Sequence, residues 1–195
     1  MSAPYTIKSQ PAWTELGWDT SGRQHLVLAG AADAAVAARL AADAPAGVDL
    51  IVIPHDGDEA WLGLASGGGS ITRAERPEAA LQILRDALAA ARMGTRLYLI
   101  GGESLIWLAA RIANEAGMGE SEIHRHRCGT LARPVYCVHC KTITHAIHTN
   151  IAPCGGCGRQ LFVRDHFSRR LGAYMGFQID AEEPGVLPDV ERIYP

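Results

Sequence analysis

The feature that most constrains the fold is a pair of CxxC motifs in the last third of the chain. Cys137 and Cys140 form the first motif, and Cys154 and Cys157 form the second after thirteen intervening residues. Each motif can turn tightly enough for both thiolates to face one ion, so the spacing predicts a four-thiolate tetrahedral metal site. Because metal binding and folding are coupled, such an ion can organise a segment that has few apolar residues.

A closed site of four thiolates favours zinc (Zn2+), which is redox-inert, prefers tetrahedral coordination and leaves no open position here for water or substrate. Iron in a rubredoxin-like site is the alternative. Lys141 follows the first motif, where a rubredoxin knuckle usually carries glycine, and this difference favours zinc. Gly155, Gly156 and Gly158 suit the tight turn of the second motif. The segment between the motifs alternates as a short antiparallel strand pair would.

The histidines near the motifs allow two interpretations. His139, His145 and His148 could replace a ligand or donate a hydrogen bond to a thiolate, but the simpler expectation is that they are exposed or half-buried ribbon residues. His124 and His126 alternate with arginines in a predicted strand, so we expect both on one face of a polar sheet edge.

The cysteines also bear on the cellular compartment. Residues 1–13 lack an apolar run of signal-peptide length, and no later stretch is long and apolar enough to span a bilayer. We therefore expect a cytoplasmic protein, where paired CxxC motifs bind metal more often than they form disulfides. The fifth cysteine, Cys128, is expected to be a small buried or free thiol.

Upstream of the motifs, strand and helix patterns alternate. Strands are predicted at residues 25–30, 48–56, 95–102 and 122–127, and helices at 31–44, 77–94 and 103–117. This order predicts an α/β fold, with a Rossmann-like parallel sheet and helices on both faces, over residues 1–132. Composition changes after Ala132, which predicts a second module over residues 133–195, comprising a zinc ribbon and a short helical tail.

The predicted tail combines aromatic and basic residues. Its aromatic stripe at helical spacing comprises Phe167, Leu171, Tyr174 and Phe177, and its other side carries Arg164, Arg169 and Arg170. Between His124 and Arg170, eight basic residues oppose one acid, Asp165, although the net charge of the chain is −3. This local charge favours an acidic partner surface.

A Rossmann-like sheet raises the question of a nucleotide site. The turn after the first strand, LAGAADAA, has only Gly30 and adds the acid Asp33, which is a poor setting for a pyrophosphate. We expect at most a vestigial nucleotide cleft, lined by Gly30, Gly101, Gly102 and Glu103. Ser104 has no surrounding GxSxG, and no catalytic residue is predicted.

The stretch from Arg96 to Arg127, which contains LYLIGGESLIWLAARIANEAG, resembles the last strand–helix–strand unit of the pyridine-nucleotide domain of ferredoxin reductases. That family carries a Cys-Gly-Pro turn after the strand. Here Ile100 and Gly102 replace the cysteine and proline, and only Gly101 and Glu103 are kept. The resemblance implies the reductase fold with a degenerate nucleotide site.

The ribbon joined to DHFSRRLGAYMGFQIDAEEPG (Asp165 to Gly185) resembles the C-terminal part of the A subunit family of bacterial dimethylamine monooxygenases. This resemblance implies a multisubunit NADPH- and O2-dependent system of methylated amine metabolism that converts dimethylamine to methylamine and formaldehyde. It also implies two partners, a haem-containing subunit plus a reductase that carries flavin and a [2Fe-2S] cluster. The four ribbon cysteines match the cysteines of that family by position.

Three functional hypotheses follow. The first is a structural, docking or electron-path subunit of this oxidoreductase, which is not catalytic alone. The second is a rubredoxin-like iron electron carrier. The third, suggested by the basic residues around the motifs, is a nucleic-acid-binding zinc ribbon, for which a net charge of −3 is unusual.

Overall fold

The computed structural model describes residues 10–13, 15–31, 33–54 and 59–195. These residues form two compact units. One spans Trp13–Gly129, and the other comprises Thr130–Pro195 with residues 10–12. The division predicted from the sequence, into residues 1–132 and 133–195, remains a prediction. Within the described residues, every helix is too short or too polar to cross a membrane.

The first unit is built on a five-stranded parallel sheet with the order β3-β2-β1-β4-β5. Its strands are β1 (Gln24–Ala29), β2 (Val48–Val52), β3 (Ile71–Arg73), β4 (Thr95–Gly101) and β5 (Ile123–Arg127). The predicted α/β fold is thus confirmed, and β3 is an additional strand. The predicted strand at residues 48–56 ends at Val52, and its His55 and Asp56 lie outside the described residues.

Helices cover both faces of this sheet. They are α1 (Ala34–Ala42), α2 (Glu59–Leu62), α3 (Pro77–Ala90) and α4 (Glu103–Glu115), with short 3-10 helices at Gly63–Ala65 and Glu120–Glu122. Side chains alternate along each strand, so Val27 and Tyr98 pack in the core that contains α1. Leu26 and Leu97 pack in the opposite core, with α3 and α4. Parallel strands buried on both faces explain the nearly unbroken apolar runs of the sequence.

Several helix boundaries follow the expected signals. Pro77 is the first residue of α3, where a missing N–H costs no hydrogen bond. Asp33 caps α1, and its carboxylate accepts a hydrogen bond of 3.0 Å from the backbone N–H of Val36. Gly117 follows the C-cap residue of α4 with a φ of 91°, a conformation that glycine adopts without steric cost. The predicted end of α3 at residue 94 is wrong, because the helix ends at Ala90, and Gly94 lies in the turn before β4.

The second unit contains a five-stranded sheet with the order β7-β6-β10-β9-β8. Its strands are β6 (Arg133–Cys137), β7 (Ile143–Ile147), β8 (Ile151–Pro153), β9 (Gln160–Ser168) and β10 (Ala173–Gln178). β6–β7 and β8–β9 are antiparallel hairpins, and β10 joins them by pairing with β6 and β9. The predicted strand pair between the CxxC motifs is therefore wrong, because β7 and β8 lie at opposite edges of the sheet.

The predicted helical tail is also wrong. Phe167 lies in β9, and Tyr174 and Phe177 lie in β10, with Gly172 (φ 62°) in the turn between the strands. Phe167 and Tyr174 are direct cross-strand partners whose rings meet edge to face with centroids 5.0 Å apart. Their spacing of seven residues fits two helical turns, but it also fits a hairpin whose turn brings the same side chains together.

The last residues of the chain pack on this sheet. The backbone N–H of Tyr194 donates to the carbonyl of His148 over 3.0 Å. The guanidinium of Arg133 lies 4.1 Å from the ring centroid of Tyr174 and 3.9 Å from that of Tyr194. It also forms an ion pair of 2.6 Å with Asp165. Stacked cation–π contacts thus fix the C-terminal segment.

Candidate metal centre

Each CxxC motif forms the tip of one hairpin in the second unit. Cys137 is the last residue of β6, and its carbonyl accepts a hydrogen bond of 2.9 Å from the N–H of Lys141. In the second motif, the carbonyl of Cys154 accepts the equivalent bond, also 2.9 Å, from Gly158. The two turns therefore repeat the same backbone hydrogen bond around their cysteines.

The residue after each motif has a left-handed backbone. Gly158 has a φ of 72° and Lys141 a φ of 69°. The side-chain ammonium of Lys141 donates to the carbonyl of Val138 over 2.6 Å. Lysine in this position costs about 1–2 kcal/mol relative to glycine, yet the first turn keeps the shape of the second. Having Lys141 where the second turn has Gly158 thus does not alter the turn geometry.

The two turns bring all four sulfur atoms together. The Sγ atoms of Cys137 and Cys157 are 3.9 Å apart, and those of Cys140 and Cys154 are 3.4 Å apart. All four lie within 4.8 Å of one another. A tetrahedral ion with metal–sulfur bonds of about 2.3 Å holds its sulfurs about 3.8 Å apart. The set therefore has the size and donor chemistry for one ion.

The thiols differ in their surroundings. Hydrogen bonds from the side chain and the backbone of Thr142 lower the pKa of Cys140 to about 6. A hydrogen bond from the backbone N–H of Arg159 lowers the pKa of Cys157. Burial raises the pKa of Cys137 to about 11. Two half-buried thiols are thus favoured as thiolates, whereas the buried Cys137 is disfavoured as a thiolate without a cation beside it.

Two threonines and two glycines support the cysteines. The N–H of Gly155 donates to Oγ1 of Thr144 over 2.9 Å, and the N–H of Gly156 donates to Sγ of Cys154 over 3.4 Å. A Cβ on Gly156 would lie 2.9 Å from Cβ of Thr142 and 3.1 Å from Sγ of Cys140. Sequence reasoning missed both threonines, although their spacing of two residues on the strand side of the first motif signals a shared face.

No histidine belongs to the four-sulfur set among the described residues. His139 is exposed on the first turn. Nδ1 of His148 hydrogen-bonds the carbonyl of Tyr194 over 2.8 Å, so this ring holds the C-terminal segment. His124 and His126 pair in register with Tyr98 and Ile100 and share one face of β5, as expected.

The residues predicted to line a nucleotide cleft lie at the carboxyl ends of β1 and β4. The N–H of Gly30 donates to the carbonyl of Ile100 over 2.9 Å, and α4 starts at Glu103 directly after Gly101 and Gly102. The structure therefore brings together the glycine turns of the two neighbouring strands. This edge is where ligands bind in open parallel sheets.

The chain's own side chains occupy the space above these turns. A Cβ on Gly30 would overlap Cδ2 of Leu105, and one on Gly101 would lie 3.2 Å from the same atom. Glu103, only 1% exposed, pairs with Arg127 over 2.8 Å at the start of α4. The positive end of that helix dipole thus already faces a carboxylate.

The start of α1 is closed in the same way. Asp33, which caps this helix, also lies 2.9 Å from Nε2 of His126. Cys128 lies nearby, with its half-buried Sγ 3.9 Å from the carbonyl of Ala31, and burial raises the pKa of this free thiol to about 11. A neutral thiol of this kind is a poor nucleophile, in keeping with the expected free or buried thiol.

Models of two protein domains match most of the sequence. The model described as "Dimethylamine monooxygenase subunit DmmA-like, N-terminal domain" matches residues 5–123, and the model of the corresponding C-terminal domain matches residues 134–177. The first match covers β1 to β4 and ends at the first residue of β5, and the second match includes all four ribbon cysteines.

A curated relative is similar over part of its length. The "heme-dependent oxidative N-demethylase delta subunit" of Ectopseudomonas mendocina (strain ymp) is 42% identical over 108 residues, which cover 54% of this chain and 62% of the relative. Among solved structures, a phthalate dioxygenase reductase, described as modular and transferring electrons from pyridine nucleotides to [2Fe-2S], matches with a TM-score of 0.40. It is 14% identical, and the match covers 68% of this chain and 46% of the reductase.

Proposed function

The chain belongs to the DmmA-like family of dimethylamine monooxygenase subunits, and on this premise we propose that it is a component of a multisubunit oxidative N-demethylase. In the proposed reaction, dimethylamine, O2, NADPH and a proton give methylamine, formaldehyde, NADP+ and water. The family description and the N-demethylase name of the curated relative support this class of reaction.

Within this system the chain has a structural or docking role. The observation that supports this role is that the chain's own side chains fill both places where it could do chemistry. Four thiols supply every position of a tetrahedral ion, so a bound metal has no site for substrate. At the carboxyl edge of the parallel sheet, the space above the glycine turns and the starts of the helices is occupied by the side chains of Leu105, Glu103 and Asp33.

The filled edge supports the proposal that the cleft at Gly30, Gly101, Gly102 and Glu103 is vestigial. A pyrophosphate needs close approach to backbone N–H groups and the positive end of a helix dipole. Here Leu105 blocks the approach at Gly30, and Glu103 places a carboxylate at the start of α4. The side chain of Leu105 thus occupies the approach that a pyrophosphate needs, which favours a scaffold over a hydride-transfer domain.

Cys137, Cys140, Cys154 and Cys157 would hold zinc in the second unit. Bound there, zinc supplies a cross-link and Lewis-acid neutralisation of the thiolates, with no redox chemistry. The chain itself positions the donors by the matched turns after β6 and β8 and by the hydrogen bonds of Thr142 and Thr144. The two hairpins would thus be held together at their tips by the metal and along their length by β10.

The proposed partners are a haem-containing subunit plus a reductase that carries flavin and a [2Fe-2S] cluster. In this arrangement the partners carry the redox cofactors and this chain fixes their position. We place the assembly in the cytoplasm, where reduced cysteines are available to a metal. A membrane or a nucleic acid has no part in the proposal.

Reconstitution tests the proposed role. Formaldehyde release from dimethylamine and NADPH oxidation are measured with the haem and reductase subunits, with and without this chain, and with this chain alone. We expect the chain alone to be inactive and its addition to the other subunits to raise coupled turnover. NADPH-dependent demethylation by the isolated chain would overturn the proposal, and so would identical turnover with and without it.

A rubredoxin-like iron site is the second candidate for the ribbon. Lys141 adopts the same left-handed backbone as Gly158, so the first turn has the shape that an iron knuckle requires. The N–H of Gly156 also points to a thiol sulfur, and such hydrogen bonds tune the potential of iron–sulfur sites. An electron-path role would follow if the resident ion were iron.

A further inference from the structure

Most large apolar side chains that remain exposed lie in the second unit. Among the described residues, nine such side chains are exposed, and seven belong to Thr130–Pro195. Phe162 and Phe177 are the two aromatic residues in this group, with exposures of 36% and 44%. They are direct partners on β9 and β10, so their rings share one face of the sheet.

A second row of apolar side chains lies beside this pair. Met175 precedes Phe177 by two residues and therefore lies on the same face of β10. It pairs with Tyr136 of β6, which in turn pairs with Ile143 of β7, and all three are half-buried. We call the surface formed by Phe162, Phe177, Met175, Tyr136 and Ile143 the aromatic face.

Two cations flank the aromatic face. The guanidinium of Arg164 lies 5.9 Å from the ring centroid of Phe162, and the ammonium of Lys141 lies 5.9 Å from that of Tyr136. Neither cation has an ion pair among the described residues. Asp165, next to Arg164, pairs instead with Arg133, which stacks on Tyr174 on the opposite face. The aromatic face therefore joins exposed rings to unneutralised positive charge.

We infer that the aromatic face is the docking surface for another subunit of the demethylase, through an apolar patch of that subunit edged by aspartate and glutamate side chains. This inference rests on the proposed function and deepens it. Aromatic residues, methionine and arginine are enriched at protein interfaces relative to the rest of the surface. The two cations of this face, which have no ion pair among the described residues, attract carboxylates, and this attraction sets both the orientation and the rate of association.

Charge selects this occupant over two others. A second copy of this chain, docked by two-fold symmetry, would bring two positively charged faces together. A nucleic acid requires many phosphate contacts, whereas this face offers two cations in a chain of net charge −3. An acidic protein surface with an apolar patch complements both the apolar side chains and the positive charge of the aromatic face.

The test uses the full chain coexpressed with the haem and reductase subunits. A double variant, Phe162→Gln with Phe177→Gln, removes the exposed rings, and Arg164→Glu reverses one cation. The matched control is Met93→Gln with Arg92→Glu in the other unit, since Met93 is 93% exposed and Arg92 is also exposed. Unchanged metal content and unfolding midpoint would show that each variant is folded.

Affinity for the purified partner subunits is measured by titration at two salt concentrations. We expect the phenylalanine variant to bind about tenfold or more weakly, Arg164→Glu to weaken binding and its salt dependence, and the control to match wild type. If every variant binds the partner subunits as tightly as the wild-type chain does, the inference is overturned, while the proposed function still stands.

Two further outcomes would also overturn the inference. One is a loss of self-association in the phenylalanine variant, and the other is a salt-dependent affinity for a labelled oligonucleotide that this variant loses. If the wild-type chain binds neither of the partner subunits, the proposed function itself fails.

Discussion

Replacing Gly156 by alanine is expected to weaken metal binding by the ribbon. The new Cβ would overlap Oγ1 of Thr142 and would lie 2.9 Å from Cβ of Thr142 and 3.1 Å from Sγ of Cys140, so both neighbours must shift. Relieving such overpacking costs about 1–3 kcal/mol. Because the strain falls on a metal ligand, it lowers the apparent metal affinity roughly 5- to 150-fold, at about 1.4 kcal/mol per factor of ten.

Gly155→Ala is the matched control. Its Cβ would lie 3.4 Å from Oγ1 of Thr144, an ordinary contact, and both substitutions restrict the unfolded chain equally. Zinc affinity is measured for both variants by competition with a chromophoric chelator at fixed pH. We predict near wild-type affinity for Gly155→Ala and a clear loss for Gly156→Ala. Equal affinities in the two variants would refute the role given to Gly156.

Three further predictions follow from the packing within each unit. NADPH should leave the unfolding temperature of the wild-type chain unchanged, because its own side chains fill the glycine turns, and a saturable rise in thermal stability would contradict this. Arg133→Lys should destabilise the ribbon by about 1–2 kcal/mol in urea unfolding, since it loses stacking on Tyr174 and Tyr194; an unchanged midpoint would count against those contacts. Hydrogen bonds from Ser21 and Arg96 hold the pKa of Asp19 well below its usual range. The ionised carboxylate therefore stabilises the fold above about pH 4, and this stabilisation is lost as pH falls below that value. Asp19→Asn should flatten this part of the acid-unfolding curve, and an unaltered curve would show that the contacts contribute nothing.

The parallel sheet could be predicted because its signals are local. Continuous apolar runs such as the one ending at Val52 depend on only a few neighbouring residues, and so do helix boundary signals such as Pro77 at the start of α3 and Gly117 after α4. β3, at Ile71–Arg73, escaped prediction because its three residues are all exposed and have no apolar pattern. Its place is set by pairing with β2, a contact made some twenty residues away in sequence.

The ribbon shows where local patterns fail. The four cysteines identified the candidate metal site because each CxxC motif is a local signal, although pairing through β10 is what joins the two hairpins that carry the motifs. The spacing of Phe167, Tyr174 and Phe177 fits a helix, but β10 is the strand that joins the two hairpins. That pairing with β6 bridges nearly forty residues of sequence, so no local signal distinguishes it from an amphipathic helix. The aromatic face followed only once this pairing was known.

The most direct test of the proposed docking role is the identity of the ion bound by Cys137, Cys140, Cys154 and Cys157. Elemental analysis and a visible absorption spectrum of the purified full-length chain measure it together. We predict a colourless protein with zinc in one-to-one ratio, in keeping with a closed site that fixes a docking surface. A red protein with iron in that ratio and thiolate-to-iron absorption would contradict this role and make the ribbon an electron carrier.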